Sequence, residues 1–143
     1  MTLVLDASVA LAWCFDDELD AAALAALGHV TAKGAVVPSV FFLEVGNALL
    51  VGQQRGRLTE ARTEKFTELL LEVSIASEEL SPEGALKRVL SLAKSHGLAT
   101  CDATYLDLAM REGLALATKD RKLATVARRV GVPLAYLEEP LGR

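Results

Sequence analysis

Histidine, cysteine and aromatic residues are all scarce in this chain of 143 residues, which has two histidines, two cysteines and 5% aromatics. Each scarcity removes a class of function. His29 and His96 stand apart from any second soft ligand, which argues against zinc and against imidazole-based proton transfer. Cys14 and Cys101 lie in apolar, helical settings and not in a spaced framework, so a reducing cytoplasm is the expected compartment. No histidine or basic group is placed to activate Cys101, whose thiol is expected to be buried. No apolar run approaches the roughly 20 residues of a membrane span, and no basic segment with a cleavage site precedes the first apolar run, so neither a membrane anchor nor an export signal is expected. A glycine-rich phosphate loop is missing too, which speaks against nucleoside triphosphate hydrolysis. Trp13 and Phe15 are assigned to core packing, so little remains for stacking on bases.

Apolar residues are abundant, at 52%. With so few aromatics the core must be built from Leu, Val and Ala. The length suits one domain, 1–143, with a real core. Short strand-like runs at 2–5, 35–37, 73–76, 114–117 and 134–137 alternate with helical patterns at 7–15, 19–27, 40–55, 60–72, 82–96, 102–112 and 121–130. Thr59 and Ser81 are helix caps, Pro82 marks a first turn, and Gly97, Gly113 and Gly131 close helices. Strands alternating with helices predict an α/β fold, a three-layer α/β/α sandwich around a central parallel sheet with right-handed crossovers. Ligands of such sheets sit beyond the carboxyl ends of the strands, at a switch point in strand order.

Two strand-like runs stop on an acid: "TLVLD" at Asp6 and "LALATKD" at Asp120. Asp6, Asp102 and Asp120 each precede or open a predicted helix, where aspartate is a preferred cap, so each has a structural reading beside a functional one. Glu44, in "PSVFFLEVGNALLVG", lies past the first turn of its helix, where neither capping nor the macrodipole favours it. Apolar neighbours occupy nearly every direction around it, which predicts a helix buried all round. Glu44 then faces either a buried salt bridge, to Arg55 or Lys119, or a polar cleft where it acts as a ligand. Asp107 is expected on the solvent-facing surface, and Tyr105 in the core with its hydroxyl at the rim.

If Asp6, Glu44, Asp102 and Asp120 converge, each pair about 5 Å apart repels by roughly 3 kcal/mol at an effective dielectric near 20. Such a quartet raises its pKa values or binds cations, and oxygen donors select Mg²⁺ or Mn²⁺. An all-carboxylate site of this kind serves phosphoryl chemistry, and phosphodiester cleavage fits best without a phosphate loop. The net charge of −4 does not oppose a nucleic-acid substrate, because four clustered acids account for it.

"LDAS" after the first strand, "PSVFFLEVGNAL" on the third helix, "TCDATYLDLA" opening a later helix and "ATKD" after the fourth strand resemble, in order, the PIN-domain family. The nearest group is the VapC-like toxins of toxin–antitoxin pairs. The resemblance implies a Mg²⁺- or Mn²⁺-dependent endoribonuclease, inhibited by an antitoxin whose tail covers the site, and a homodimer. By motif position it implies Asp6, Glu44, Asp102 and Asp120 as the catalytic, metal-holding quartet. Ser8 and Thr118 match supporting hydroxyls, and Asn47 a polar neighbour. Many relatives carry a further acid two residues after the last aspartate, where this chain has Lys122, which bears on a second metal.

Lys119, Arg121, Lys122 and Arg55 are candidate phosphate contacts as a set, although each singly reads as solvated surface. The segments "AAALAAL" and "FTELLLEV" carry more apolar side chains than one small domain readily buries, which suggests a partner groove. A non-catalytic PIN-like interaction module is the competing reading. A receiver-like phosphoacceptor domain fits less well, because "SIASEEL" offers only glutamates where an acceptor aspartate is needed.

Overall fold

A computed structural model describes residues 1–136. Four strands, β1 (Leu3–Leu5), β2 (Ala35–Pro38), β3 (Ile75–Glu78) and β4 (Leu116–Ala117), pair in the order β3-β2-β1-β4, every pair parallel. The register sets Leu3 beside Ala35, Val4 beside Leu116 and Ala35 beside Ile75. Successive side chains of a strand point to opposite faces, and Leu3, Val4 and Leu5 are all buried. Both faces of the sheet are therefore covered, which makes the sandwich three-layered as expected.

Helices α1 (Ala7–Ala12), α2 (Ala21–Lys33), α3 (Val40–Gln54), α4 (Glu60–Glu72), α5 (Leu90–His96), α6 (Thr100–Glu112) and α7 (Arg121–Arg129) supply the covering. Helix α1 packs on α2 and α3, while α6 lies on β1 and β2 with α5 and α7 against it. The chain runs outward from β1 through β2 to β3, then returns to place β4 on the other side of β1. The switch point thus lies between β1 and β4, where Asp6 and Asp120 follow the two strand ends.

Several boundaries move, each for a local reason. Helix α2 starts at Ala21 and not at 19, because Asp20 caps it by accepting from the Ala23 N–H at 2.8 Å. A 3₁₀ turn, Asp16–Glu18, precedes it. Strand β3 lies two residues later than the apolar run suggests. The helix expected over 82–96 is interrupted by a π-helical turn, Gly84–Val89, that leads directly into α5. Gly97 and Gly113 end α5 and α6 in the left-handed region, at φ 66° and 64°. The expected fifth strand is reduced to a single bridge between Leu134 and Leu116, and Leu137 lies outside the described residues.

Two burial expectations are corrected. Helix α3 is not buried all round: Phe41, Val45, Leu49 and Gly52 face inward, whereas Leu43 is 77% and Leu50 53% exposed. One helical face suffices to cover the sheet, and the remaining leucines face outward. Asp107 is not on the surface but 3% exposed. The Nε of Arg88 donates to it at 2.6 Å and the Nε of Arg111 at 2.9 Å, and Arg111 also reaches Glu78 at the end of β3. The acid joins α6, the π-helical turn and the edge strand. Asp107→Ala leaves two guanidiniums facing each other over a void, although both still reach water. Unfolding free energy from urea titration should fall by about 2 kcal/mol; a fall below about 0.5 kcal/mol would mean that solvent replaces the acid.

Candidate active site

Asp6 directly follows β1, and its backbone N–H donates to the Ala117 carbonyl of β4 at 2.9 Å. Its side chain does not cap α1. Instead Oδ2 accepts two hydroxyls, Ser8 Oγ at 2.5 Å and Thr118 Oγ1 at 2.7 Å. Each hydroxyl in turn accepts a backbone N–H, that of Lys119 on Ser8 at 2.9 Å and that of Asp120 on Thr118 at 3.0 Å. A hydroxyl has one proton to give, so both are committed to Asp6 and the carboxylate is aimed without freedom to turn.

Asp120 does cap its helix, accepting from the Leu123 N–H at 3.1 Å through Oδ1. Asp102 does not cap: α6 begins two residues earlier, at Thr100, and Asp102 sits half-buried in its first turn. Glu44 is also half-buried, and its Oε1 accepts the Tyr105 hydroxyl at 2.5 Å. The salt-bridge reading of Glu44 fails, since its partner is a phenol. Lys119 donates instead to Asp20 Oδ2 at 2.5 Å and to the Glu18 carbonyl at 3.2 Å.

The structure brings Asp6 within electrostatic reach of Glu44, Asp102 and Asp120, and Asp102 within reach of Glu44 and Asp120. Burial raises the pKa of Asp6 most, opposed by the Ser8 and Thr118 hydrogen bonds and aided by the charges of Asp102 and Asp120. Glu44 is raised by burial, with Tyr105 opposing and Asp6 and Asp102 adding. Asp102 is raised by burial and by Asp120, and lowered by Lys122. Among the described residues no three carboxylate, imidazole or thiol groups form a ready-made metal cluster. The donor set still suits Mg²⁺ or Mn²⁺: it is all oxygen and electrostatically strained, and Mg²⁺ keeps several waters while taking one or two carboxylates.

Asn47, Arg55, Arg121 and Lys122 are exposed, Asn47 one turn beyond Glu44 on α3, Arg55 at the far end of that helix, and Lys122 near enough to Asp102 to act on it. Cys101 corrects another expectation: it is exposed. Partial desolvation and the charges of Glu44 and Asp102 push its pKa up, which keeps it a thiol. Trp13 and Phe15 are buried as expected. Sequence reasoning passed over Asp20, although an aspartate immediately before an alanine run is a capping signal. It also gave the Tyr105 hydroxyl no partner.

The PIN domain family model matches residues 3–129. Ribonuclease VapC3 of Pyrobaculum aerophilum is 33% identical over 124 residues, which cover 87% of this chain and 93% of that one. The crystal structure of PAE2754 from Pyrobaculum aerophilum superposes with a TM-score of 0.66 at 23% identity, covering 92% of this chain and 96% of that one. A toxin-antitoxin complex from Klebsiella pneumoniae has a TM-score of 0.61 at 17% identity, with 97% and 98% covered. FitAcB from Neisseria gonorrhoeae matches at 0.61 and 16%, with 99% and 100% covered. At these identities the structures speak for the fold.

The raised acids give stability a definite pH dependence in metal-chelated protein. Asp6 holds its proton more tightly when folded than at its ordinary value of 3.8. Its ionisation therefore opposes folding above the folded pKa, and that penalty fades as pH falls through the folded pKa toward the unfolded one. Glu44 and Asp102 act in the same sense. Asp6→Asn should melt higher than wild type at about pH 7, and the difference should close toward about pH 4. A variant that melts lower at neutral pH would show that the Ser8 and Thr118 bonds outweigh the repulsion.

Proposed function

The chain belongs to the PIN-domain family, and from that footing we propose that it is a metal-dependent endoribonuclease, the toxin of a toxin–antitoxin pair. The observation that carries this reading is the buried Asp6 carboxylate at the switch point, held by Ser8 and Thr118, with Glu44, Asp102 and Asp120 near enough to act on it or to be acted on by it. The 33% identity to Ribonuclease VapC3 supports it. These four acids would hold Mg²⁺ or Mn²⁺, which when bound lowers the pKa of a water and offsets charge on the scissile phosphate. The chain's own residues supply the rest. Ser8 and Thr118 fix the Asp6 carboxylate, and Asp120 is fixed by its cap. Lys122 stands close enough to Asp102 to lower its pKa and, with Arg121 and Arg55, offers positive charge to the RNA backbone. Lys119 contributes mainly by anchoring the start of α2 beside the site.

Glu44→Gln keeps the shape of the side chain and removes one charge. RNA cleavage in Mg²⁺ should fall by about two orders of magnitude or more while melting stays near wild type. Millimolar Mn²⁺ should raise the wild-type melting temperature and move Asp6→Asn far less. Cleavage at the wild-type rate would overturn the reading. RNA binding without any cleavage by the wild type would favour the non-catalytic interaction module.

The proposed partner is an antitoxin whose apolar segment covers the exposed leucines near and on α2 and α4: Leu19, Leu24, Leu69 and Leu71. A basic side chain from its tail would answer the quartet's negative charge. The proposed setting is the cytoplasm, with a homodimer as the working unit; among the described residues no helix is long and apolar enough to cross a membrane. Co-expression with the small open reading frame beside the gene, and purification through one tag, should recover a complex containing more than one copy of this chain. Recovery of this chain alone as a monomer would count against both partners.

A further inference from the structure

Tyr105 is fully buried on α6, yet its hydroxyl is not at a wet rim. It donates to Glu44 Oε1 on α3 at 2.5 Å. The backbone N–H of Ala7 faces the same phenolic oxygen from the start of α1. That N–H belongs to the first turn of a helix whose cap residue, Asp6, makes no side-chain cap. The phenol therefore stands near the start of α1 and donates its proton to an ionisable acid. One hydroxyl ties α6 to α3, the elements that carry Asp102 and Glu44. The charged neighbours of Glu44, Asp6 and Asp102, repel it and hold it in no fixed direction.

We propose that Tyr105 is a positioning residue that holds the Glu44 carboxylate toward the other three acids. The proposal rests on the metal-dependent reading above and extends it to a side chain outside the quartet. A glutamate has three rotatable bonds, and repulsion from Asp6 and Asp102 would swing an untethered carboxylate out to solvent. A ligand's hydrogen-bonding partner opposes this by fixing its orientation, and losing such a partner commonly weakens metal binding or activity by about 10- to 100-fold. The aromatic body of Tyr105 packs the core whether or not the hydroxyl is present.

The test is a double-mutant cycle read on Mn²⁺ affinity, measured by electron paramagnetic resonance without RNA. Tyr105→Phe should melt within a few degrees of wild type and bind Mn²⁺ about tenfold more weakly or worse. Its kcat on RNA should fall with KM little changed. In the Glu44→Ala background the same substitution should add nothing, because Tyr105 acts through Glu44. An unchanged affinity, or an equal loss in both backgrounds, would overturn the proposal. Tyr105→Met, which fills the cavity without a hydroxyl, repeats the cycle if the phenylalanine variant unfolds. Failure of wild type to bind Mn²⁺ would overturn the metal reading instead. In that event the Glu44 carboxyl carbon, followed by NMR in metal-free protein, decides: it should shift and broaden in Tyr105→Phe, and an unmoved signal sinks the positioning role.

Discussion

The burial of Asp6 at the ends of β1 and β4, next to the charges of Asp102 and Asp120, is the constraint that the rest of the site answers. Burial costs most, because Asp6 loses most of its water, and repulsion from the neighbouring acids adds to it. The parallel sheet makes the arrangement possible, since its buried strands bring Asp6 and the Thr118–Asp120 turn to adjacent ends on a rigid frame. A loop carrying the same acids would open and let them drift apart.

Neutral donors answer the repulsion locally. Ser8 and Thr118 direct their only protons onto Asp6, and Tyr105 directs its proton onto Glu44. Hydroxyls stabilise a carboxylate without neutralising it, so orientation is gained and the negative field is kept. A lysine in the place of Thr118 would relieve the strain more completely and would also fill the site with charge.

The fold was legible because its signals are local and repeated. Leu3–Leu5 reads as a fully buried strand, Thr59 caps α4 and Gly113 closes α6, and each local preference agrees with the sheet. Asp6, Asp102 and Asp120 stood out by their positions at strand ends and helix starts, and Glu44 as an acid inside an apolar helix. Pairings over long sequence distance were not. Nothing near Asp107 marks it as the partner of Arg88, and nothing near Tyr105 marks Glu44, which is 61 residues away. The burial of α3 was misread because leucine content was taken as burial, whereas Leu43 and Leu50 face outward. The fifth strand was overestimated because Tyr136, two residues after the bridge at Leu134, takes a positive φ of 53° that is incompatible with an extended ladder.

The distribution of cations carries the argument one step further. Arg57 pairs with Asp17 and Glu18, Arg62 with Asp16, Arg88 and Arg111 with Asp107, and Lys119 with Asp20. Each of these pairs lies outside the quartet, even where, as with Lys119, the cation is adjacent in sequence to one of its members. Within the quartet, Asp6 and Glu44 have no cation among the groups that shift them, and Asp102 has Lys122 alone. Long flexible lysines and arginines could reach an unshielded acidic cluster, so the competing acids at Asp16, Asp17, Glu18 and Asp20 matter for what they keep away. They hold nearby positive charge at the margin, so that Lys122 beside Asp102 is the cation that acts on these acids among the described residues. Under the proposed function, a cation arriving from outside, whether a divalent metal or a basic side chain of a partner, would relieve the strain of this site on binding. The cost of holding these acids together would thereby become affinity for that cation.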